Sequence, residues 1–384
     1  MKTDTVKGFR DIENTSKRIV VRNTIEKVFR LYDFIPVETP IIEYEEFVKG
    51  ENQNDEAISE IFKLKDRGNR ELALRYELTF QLKRIAKNKK LPYRRYQIGT
   101  VFRDEPIKEN RYRQFTQCDV DIVGSKTKDE AEILKIISEI LDELKIKFTI
   151  QLNNRKLLNE ILDELKIKDK DKEFVIREID KMEKIPEKIL KEELKKYNAE
   201  NILNILKKPE PYFEKYNAYK EIKELKKICK LFGVKFVFTP WLARGLSYYN
   251  GTIFEVKGSG IKDTICAGGA YMINGLQSIG TAFGLDRIEV LAKTEDESKK
   301  LLIISLDEDK KAIEVCDKIR NLNIPCQIYY GKPGKALDYA NSLNIPLVLF
   351  IGKEEVKKNK FKIKNMNSGK ERFISEKDLE NALE

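Results

Sequence analysis

The hydrophobic positions change their period several times along the chain, and each change predicts a different element. From about Asn14 to Tyr32, the residues Val21, Ile25, Val28 and Tyr32 recur at helical spacing, with Thr15 or Ser16 placed to cap the start. Asp33–Glu43 turns extended, and Pro36 and Pro40 mark an edge or an interface, since proline cannot donate to a central ladder. Leu72–Arg75, Tyr93–Val101 and Gln114–Val123 are strand-like. Ile133, Ile136, Ile140 and Leu144 give an amphipathic helix, and Phe148–Leu152 a short strand. A run of strands with helices on one side predicts an antiparallel α+β core.

From about Arg155 to Lys230 the pattern becomes Lys/Glu/Leu/Ile with helical periodicity, which reads as a helical insertion. Strand character returns at Lys235–Thr239, Thr252–Val256 and Ser278–Phe283, before a helix beginning near Leu285. After Glu297, buried-type strands at Leu301–Leu306, Cys326–Tyr330 and Leu347–Gly352 alternate with helices around Lys310–Asn321 and Lys335–Leu343. That is a βαβαβ unit, hence a separate α/β domain with a parallel-type sheet, closed by a hairpin of Phe361–Met366 and Glu371–Ile374. The expected division is 1–154, 155–232, 233–297 and 298–384.

Composition narrows the functions open to such a chain. Its 384 residues favour two or three domains. A formal charge of +10 favours an anionic partner, nucleic acid first, although lysines on solvated helix faces produce the same excess. Five cysteines without a CxxC pair argue against a disulfide scaffold or a structural zinc site and suit a reducing cytosol. The start, MKTDTVKGFRDI, has no apolar core segment, and the apolar runs are of strand length, so the expected location is the cytoplasm.

Histidine is absent. That removes zinc hydrolases, Ser-His-Asp hydrolases and Cys-His proteases, and leaves no metal site built from His or Cys. The remaining toolkit of Arg, Lys, Asp, Glu, Tyr and backbone groups suits phosphoryl and nucleotidyl transfer, where positioning and charge stabilisation supply most of the catalysis.

There is no GxxxxGK[ST] and no strand-GxGxxG-helix, which makes a P-loop ATPase or a Rossmann dehydrogenase a poor fit. Three other clusters hold the candidate chemistry. Phe102–Asp121 reads as strand, a loop rich in Lys and Arg, and strand; Arg103, Asp104 and Glu105 open the loop, and Phe115, Gln117, Asp119 and Asp121 share one face of the returning strand. Such a hairpin either lines a polar pocket or merely faces solvent. Leu242–Glu255 packs Arg244, Tyr248 and Tyr249 among small residues. In Ala267–Arg287, a glycine-rich loop is expected before a strand, with Arg287 at a helix start, an arrangement suited to a phosphate-bearing ligand.

Taken together, these clusters resemble a known family. Phe102–Glu105 with the loop to Arg111-Tyr-Arg-Gln-Phe115 is similar to motif 2 of the class II aminoacyl-tRNA synthetases, Gly284–Arg287 to motif 3, and the stretch ending in Pro40 to motif 1, which builds the dimer interface. Arg244-Gly-Leu-Ser-Tyr-Tyr249 and Gly268-Gly-Ala-Tyr271 resemble the two signatures peculiar to histidyl-tRNA synthetases. Lys7–Asp11 and Arg75–Thr79 look like the archaeal and eukaryotic form of that family. The resemblance runs the whole length. It makes 1–154 and 233–297 the two parts of a catalytic domain, 155–232 its helical insertion and 298–384 an anticodon-binding domain.

The resemblance implies activation of histidine by ATP, accompanied by Mg²⁺, and transfer of the histidyl group to tRNA(His) by a homodimer. Arg103 and Arg287, with Glu105, would hold ATP, and Arg244 would bridge the histidine carboxylate and the α-phosphate; Arg103 and Arg244 would carry the chemistry. Glu77, Thr79 and Gln117 would surround the α-amino group, Asp121 and Tyr249 would face the imidazole, and Tyr248 and Tyr271 would wall the pocket. Lys108, Arg111, Arg113 and Gln114 would approach the acceptor end of the tRNA. Two departures stand out: Ser247 where many members carry Asp, and Ala270 in place of the usual Arg, with an irregular loop expected after Tyr271. The alternative is a catalytically inactive, regulatory or RNA-binding paralogue, which would erode the arginines.

Overall fold

A computed structural model describes residues 3–50, 56–107, 111–245, 247–261, 263–294, 300–379 and 381. The chain forms two compact units, Met1–Glu295 and Asp296–Glu384. In the first, the strands in chain order are β1 (Ile35–Pro36), β2 (Ile42–Tyr44), β3 (Lys63–Lys65), β4 (Glu71–Leu74), β5 (Tyr93–Phe102), β6 (Gln114–Val123), β7 (Phe148–Asn154), β8 (Val237–Phe238), β9 (Tyr249–Gly258), β10 (Thr264–Ile273) and β11 (Leu276–Gly284). Eight of them make one sheet in the order β1-β5-β6-β11-β10-β9-β7-β8, antiparallel except for the short outer pairs β1/β5 and β7/β8. β2, β4 and β3 make a small separate sheet.

The period-2 pattern of β6 sorts its side chains between two environments. Cys118, Val120 and Ile122 enter the main core with Val21, Ile25 and Phe29 of the helix Ser16–Leu31 and with Ile133 and Ile137 of the helix Thr127–Glu143. Gln117, Asp119 and Asp121 face the other way, into a cavity. Burying the apolar face is worth ~25 cal/mol per Å² of apolar surface removed from water. A one-residue slip of β6 would place three polar side chains in that core, so the hydrophobic pattern fixes the register of the floor.

Between β7 and β8 the chain is helical, from Arg155–Glu164 to Asn217–Leu231. Asn154 caps the first of these helices, its Oδ1 accepting from the Lys156 N–H at 2.9 Å.

One expectation fails in an instructive way. The glycine-rich stretch 267–271 is not a loop; it is the middle of β10, paired with β9 and β11. A β-carbon on Gly268 would lie 2.1 Å from the Gly280 carbonyl oxygen, and one on Gly269 would lie 2.5 Å from that of Thr252. The glycines are needed for the close packing of backbone in the sheet, not for a phosphate-binding turn. The loop after Tyr271 is also regular: Asn274 (φ 50°) and Gly275 (φ 78°) form a two-residue hairpin turn.

The second unit adds β12 (Leu301–Leu306), β13 (Cys326–Tyr330), β14 (Leu347–Gly352), β15 (Lys360–Asn365) and β16 (Glu371–Ser375) in the order β13-β12-β14-β15-β16. The first three strands are parallel, but β15 and β16 run antiparallel, so the sheet is mixed. Helices Asp309–Asn321 and Pro333–Ser342 supply the crossovers, and each packs into its own apolar cluster. Cys316 and Cys326, unrelated by any sequence spacing rule, meet with their sulfurs 2.9 Å apart.

Candidate active site

A cavity of about 600 Å³ opens on the polar face of the eight-stranded sheet. Its floor is β6: Asp121 lies opposite Arg95 of β5 and Gly280 of β11, Asp119 opposite Gln97 and Ala282, and Gln117 opposite Gly99 and Gly284. Small residues on β11 keep the floor low, and a β-carbon at Gly280 would sit 2.0 Å from Asp121 Oδ1.

At one end are the arginines. Arg103 follows β5; its Nε donates to the Tyr76 carbonyl at 3.0 Å and its guanidinium lies 5.2 Å from the Phe115 ring centre. Arg287, in the helix Leu285–Leu291, donates to the Thr264 carbonyl at 2.7 Å. Burial lowers the Arg287 pKa, opposed by Asp263 and reinforced by the like charge of Arg111. Arg111 pairs with the buried carboxylate of Glu105, and that hydrogen bond raises the Arg111 pKa.

Arg244 lies on the segment between β8 and β9. Asn153 of β7 fixes the approach, donating to the carbonyls of Pro240 and Leu242 at 2.9 Å each. The Arg244 guanidinium is paired with Glu255 of β9, while its Nε is buried without a hydrogen-bond partner among the described residues. Burial pushes the Glu255 carboxyl up, but the charges of Arg244 and Lys257 outweigh it and bring it down to about 2.

At the other end the residues are acidic and aromatic. Tyr248, Tyr249 and Tyr271 cluster, with ring centres of Tyr248 4.7 Å from Tyr249 and 5.6 Å from Tyr271. They do more than wall the cavity, since the Tyr248 hydroxyl donates to Glu77 at 3.4 Å and the Tyr271 hydroxyl donates to Asp121 Oδ1. Arg95, fully buried, stands 2.7 Å from Asp121 Oδ2, an ion pair not aligned as a hydrogen bond. Burial raises the Asp121 pKa, and Arg95 and the Tyr271 hydroxyl oppose it.

The cavity thus collects Glu77, Thr79, Arg103, Glu105, Arg111, Gln117, Asp121, Arg244, Tyr248, Tyr249, Tyr271 and Arg287 from six separate stretches of chain. Arg113 and Gln114 lie outside it. Arg113 pairs with Asp104 at 2.9 Å and its N–H donates to the Gly8 carbonyl, while Gln114 is exposed at the start of β6. Lys108 falls outside the described residues. Pro40 is far from the floor in sequence and exposed, next to exposed Ile41 and Ile42.

Sequence reasoning missed Arg95, Asp119 and Glu255 as site residues, although the alternation of β6 placed Asp119 on the right face. It also missed the end of the helix Asp169–Ile179 and the turn after it, whose Ile179, Asp180, Met182, Glu183 and Lys184 line the cavity; there Trp241 donates to Glu183 at 2.8 Å. No helix among the described residues is long and apolar enough to cross a membrane.

An antiparallel sheet carrying arginines at one end of a cavity and carboxylates and phenols at the other is suited to joining a polyanion to a small cationic molecule. Comparison with known proteins narrows this sharply. Residues 8–288 match the family model for histidyl-tRNA synthetase, and residues 300–384 match the anticodon binding domain. Histidine--tRNA ligase 2 of Shouchella clausii is 34% identical over 96% of this chain and 97% of its own length. Histidine--tRNA ligase 1 of Bacillus anthracis is 34% identical over 100% of both chains. The crystal structure of histidyl-tRNA synthetase from a Nostoc species superposes with a TM-score of 0.86 at 25% identity, covering 100% of this chain and 99% of that one. The chain belongs to the histidyl-tRNA synthetase family.

Proposed function

We propose that the protein activates L-histidine with ATP and transfers the histidyl group to the 3′ end of tRNA(His). The observation that carries this reading is one cavity holding four arginines, Arg103, Arg111, Arg244 and Arg287, together with Glu77, Gln117, Asp121 and Tyr249. In the first step a histidine carboxylate oxygen attacks the α-phosphorus of ATP. The bond to the bridging oxygen breaks, and pyrophosphate leaves. In the second, a ribose hydroxyl of the tRNA attacks the histidyl carbonyl, its proton passes to the departing phosphate, and AMP leaves with the bonding electrons.

Arg103 and Arg287 would hold the phosphates, with Glu105 setting the position of Arg111 beside them. Arg244 would bridge the carboxylate and the α-phosphate, because a planar guanidinium stays charged and can engage two oxygens at once. Fixed cations contribute most where charge moves during displacement. Mg²⁺ would arrive on the ATP phosphates, which with water supply the hard oxygen ligands it favours. Glu77, Thr79 and Gln117 would take the α-amino group, and Asp121 and Tyr249 the imidazole. An analogue without ring nitrogens would leave those groups unpaired, which supports discrimination of roughly 10⁴-fold.

Arg111, Arg113, Gln114 and Lys108 would meet the acceptor end, the unit 298–384 would read the anticodon, and lysines of the insertion 155–232 would contact phosphates without regard to sequence. A cytoplasmic homodimer joined near Pro40 completes the reading. Retention of the arginines and of the C-terminal unit weighs against an inactive paralogue. Histidine-dependent ATP–pyrophosphate exchange is the test: exchange that requires histidine supports the assignment, and a protein inert in this assay with all substrates present would refute it.

A further inference from the structure

Asp119 occupies the middle of β6, two residues from Gln117 and two from Asp121, on the face that floors the cavity. It is 2% exposed, yet its Oδ1 has no hydrogen-bond partner among the described residues, and the same is true of Gln117 Oε1. Two acceptors, one of them a carboxylate, therefore stand unmet at successive same-face positions of one strand. Buried acceptors are almost always satisfied, so a pair left open in a cavity is best explained by a ligand that donates to both. Asp121 differs in having a resident counter-charge: its Oδ2, also without a hydrogen bond among the described residues, lies 2.7 Å from Arg95, and the Tyr271 hydroxyl donates to its Oδ1.

The charges around Asp119 define the ligand group further. Burial raises the Asp119 pKa well above the usual carboxylate range; Arg95 and Arg103 oppose this, and the like charges of Asp121 and Glu77 reinforce it, so a cationic partner is what would hold the carboxylate ionised. The two arginines have other anchors, Arg95 at Asp121 and the Leu78 carbonyl and Arg103 at the Tyr76 carbonyl. A cavity region with three carboxylates, Glu77, Asp119 and Asp121, calls for a cationic donor. Of the three polar groups on the amino-acid substrate, the carboxylate is excluded by charge, and the imidazole is taken by Asp121 and the tyrosines. The α-ammonium, with three N–H donors, remains.

We propose that Asp119 is a specificity-determining residue whose carboxylate pairs the α-ammonium group of the substrate beside Gln117. This rests on reading the cavity as a histidine site. Ionised against that ammonium group, Asp119 supplies a second carboxylate beside Glu77, where Thr79 and Gln117 supply only dipoles, and a charge-assisted bond is roughly twice as strong as a neutral one.

The probes are histidine and 3-(imidazol-4-yl)propionate, which is histidine with the amino group replaced by hydrogen. Binding of each is measured by calorimetry to the full-length protein and to its Asp119→Asn and Asp119→Ala variants. The wild type should favour histidine by about a hundredfold or more. Each variant that retains the wild-type melting transition should lose most of that preference, with affinity for the propionate within about threefold of wild type. Equal weakening of both ligands would make Asp119 a scaffold residue and overturn the proposal, as would unchanged histidine binding. A wild type that binds both ligands equally would overturn it without any variant. Failure of the wild type to bind histidine at all would refute the reading of the cavity itself, a different outcome from failure of Asp119 alone.

Discussion

Arg244 is held against the cavity wall by Glu255, eleven residues further along the chain and inside β9. The sequence suggests a costly arginine among apolar neighbours that waits for a substrate anion; the structure gives it a resident one. Glu255 also accepts from the Thr264 hydroxyl at 2.7 Å and lies 3.2 Å from Lys257, so its carboxylate is fixed from three sides. On the proposed role, Arg244→Ala should fold but lose adenylation by about a hundredfold or more, on the order of 3 kcal/mol in the barrier. Arg244→Lys should recover little, since one point charge cannot span two oxygens. Glu255→Gln should fall between, with kcat reduced more than the histidine KM is raised. Near-normal pyrophosphate exchange in Arg244→Ala would return this pair to a purely structural role.

Asp121→Asn is expected to raise the histidine KM far more than the ATP KM. The same change removes the ion-pair partner of the buried Arg95 guanidinium, so a drop in melting temperature should accompany it. Kinetics at saturating ATP, set beside a thermal melt, separate the two effects. A parallel rise in both KM values would remove Asp121 from the amino-acid pocket.

Ile35, Ile41, Ile42 and Tyr44 are large apolar residues left exposed around Pro40. Exposed apolar residues grouped in one stretch are suited to burial against a partner. The protein should therefore sediment as a dimer at micromolar concentration, and Ile42→Asp should shift it towards monomer with loss of activity. A fully active monomer would contradict this.

Glu130, on the helix Thr127–Glu143, is pushed up to about 7 by burial, with Glu221 adding to the effect and Thr252 and Lys156 opposing it. A carboxyl that binds its proton more tightly when folded favours the native state at low pH. The unfolded chain ionises first, near 4.5, so stability should fall as pH rises from there to about 7 and then level off. The side chain is partly exposed, which limits the effect to on the order of 1 kcal/mol. Melting curves at pH 5 and pH 8 should differ less in Glu130→Gln than in the wild type. An unchanged difference would show that Glu130 does not titrate in this range.

Strands and helices whose apolar residues face a core were legible in the sequence: β6, β12, β13 and β14 lie where their patterns put them, because burial of one face determines both period and length. β10 was not legible. Its centre, Ala267-Gly-Gly-Ala270, carries no β-branched or aromatic signal, since the adjoining strands leave no room for side chains there. The Asn274-Gly275 pair was the available clue, a hairpin turn between apolar residues. In the site, Arg244 and Tyr249 could be found from motif resemblance, and Gln117 and Asp121 from alternation too. Glu255 could not, because one glutamate in a strand does not reveal which arginine the sheet brings to it. Arg95 has the same difficulty: its partner Asp121 is adjacent only through the β5–β6 register.

The crowding at Gly268, Gly269 and Gly280 also bears on inheritance. Every change in the first or second base of a glycine codon that does not stop translation installs a side chain, and at these positions even a methyl group meets backbone or carboxylate oxygen within 2.5 Å. Third-base changes are silent. A lineage can therefore recode these triplets freely while their protein meaning stays fixed, so the centre of β10 and the facing glycine of β11 should accumulate synonymous differences beside neighbours that diverge.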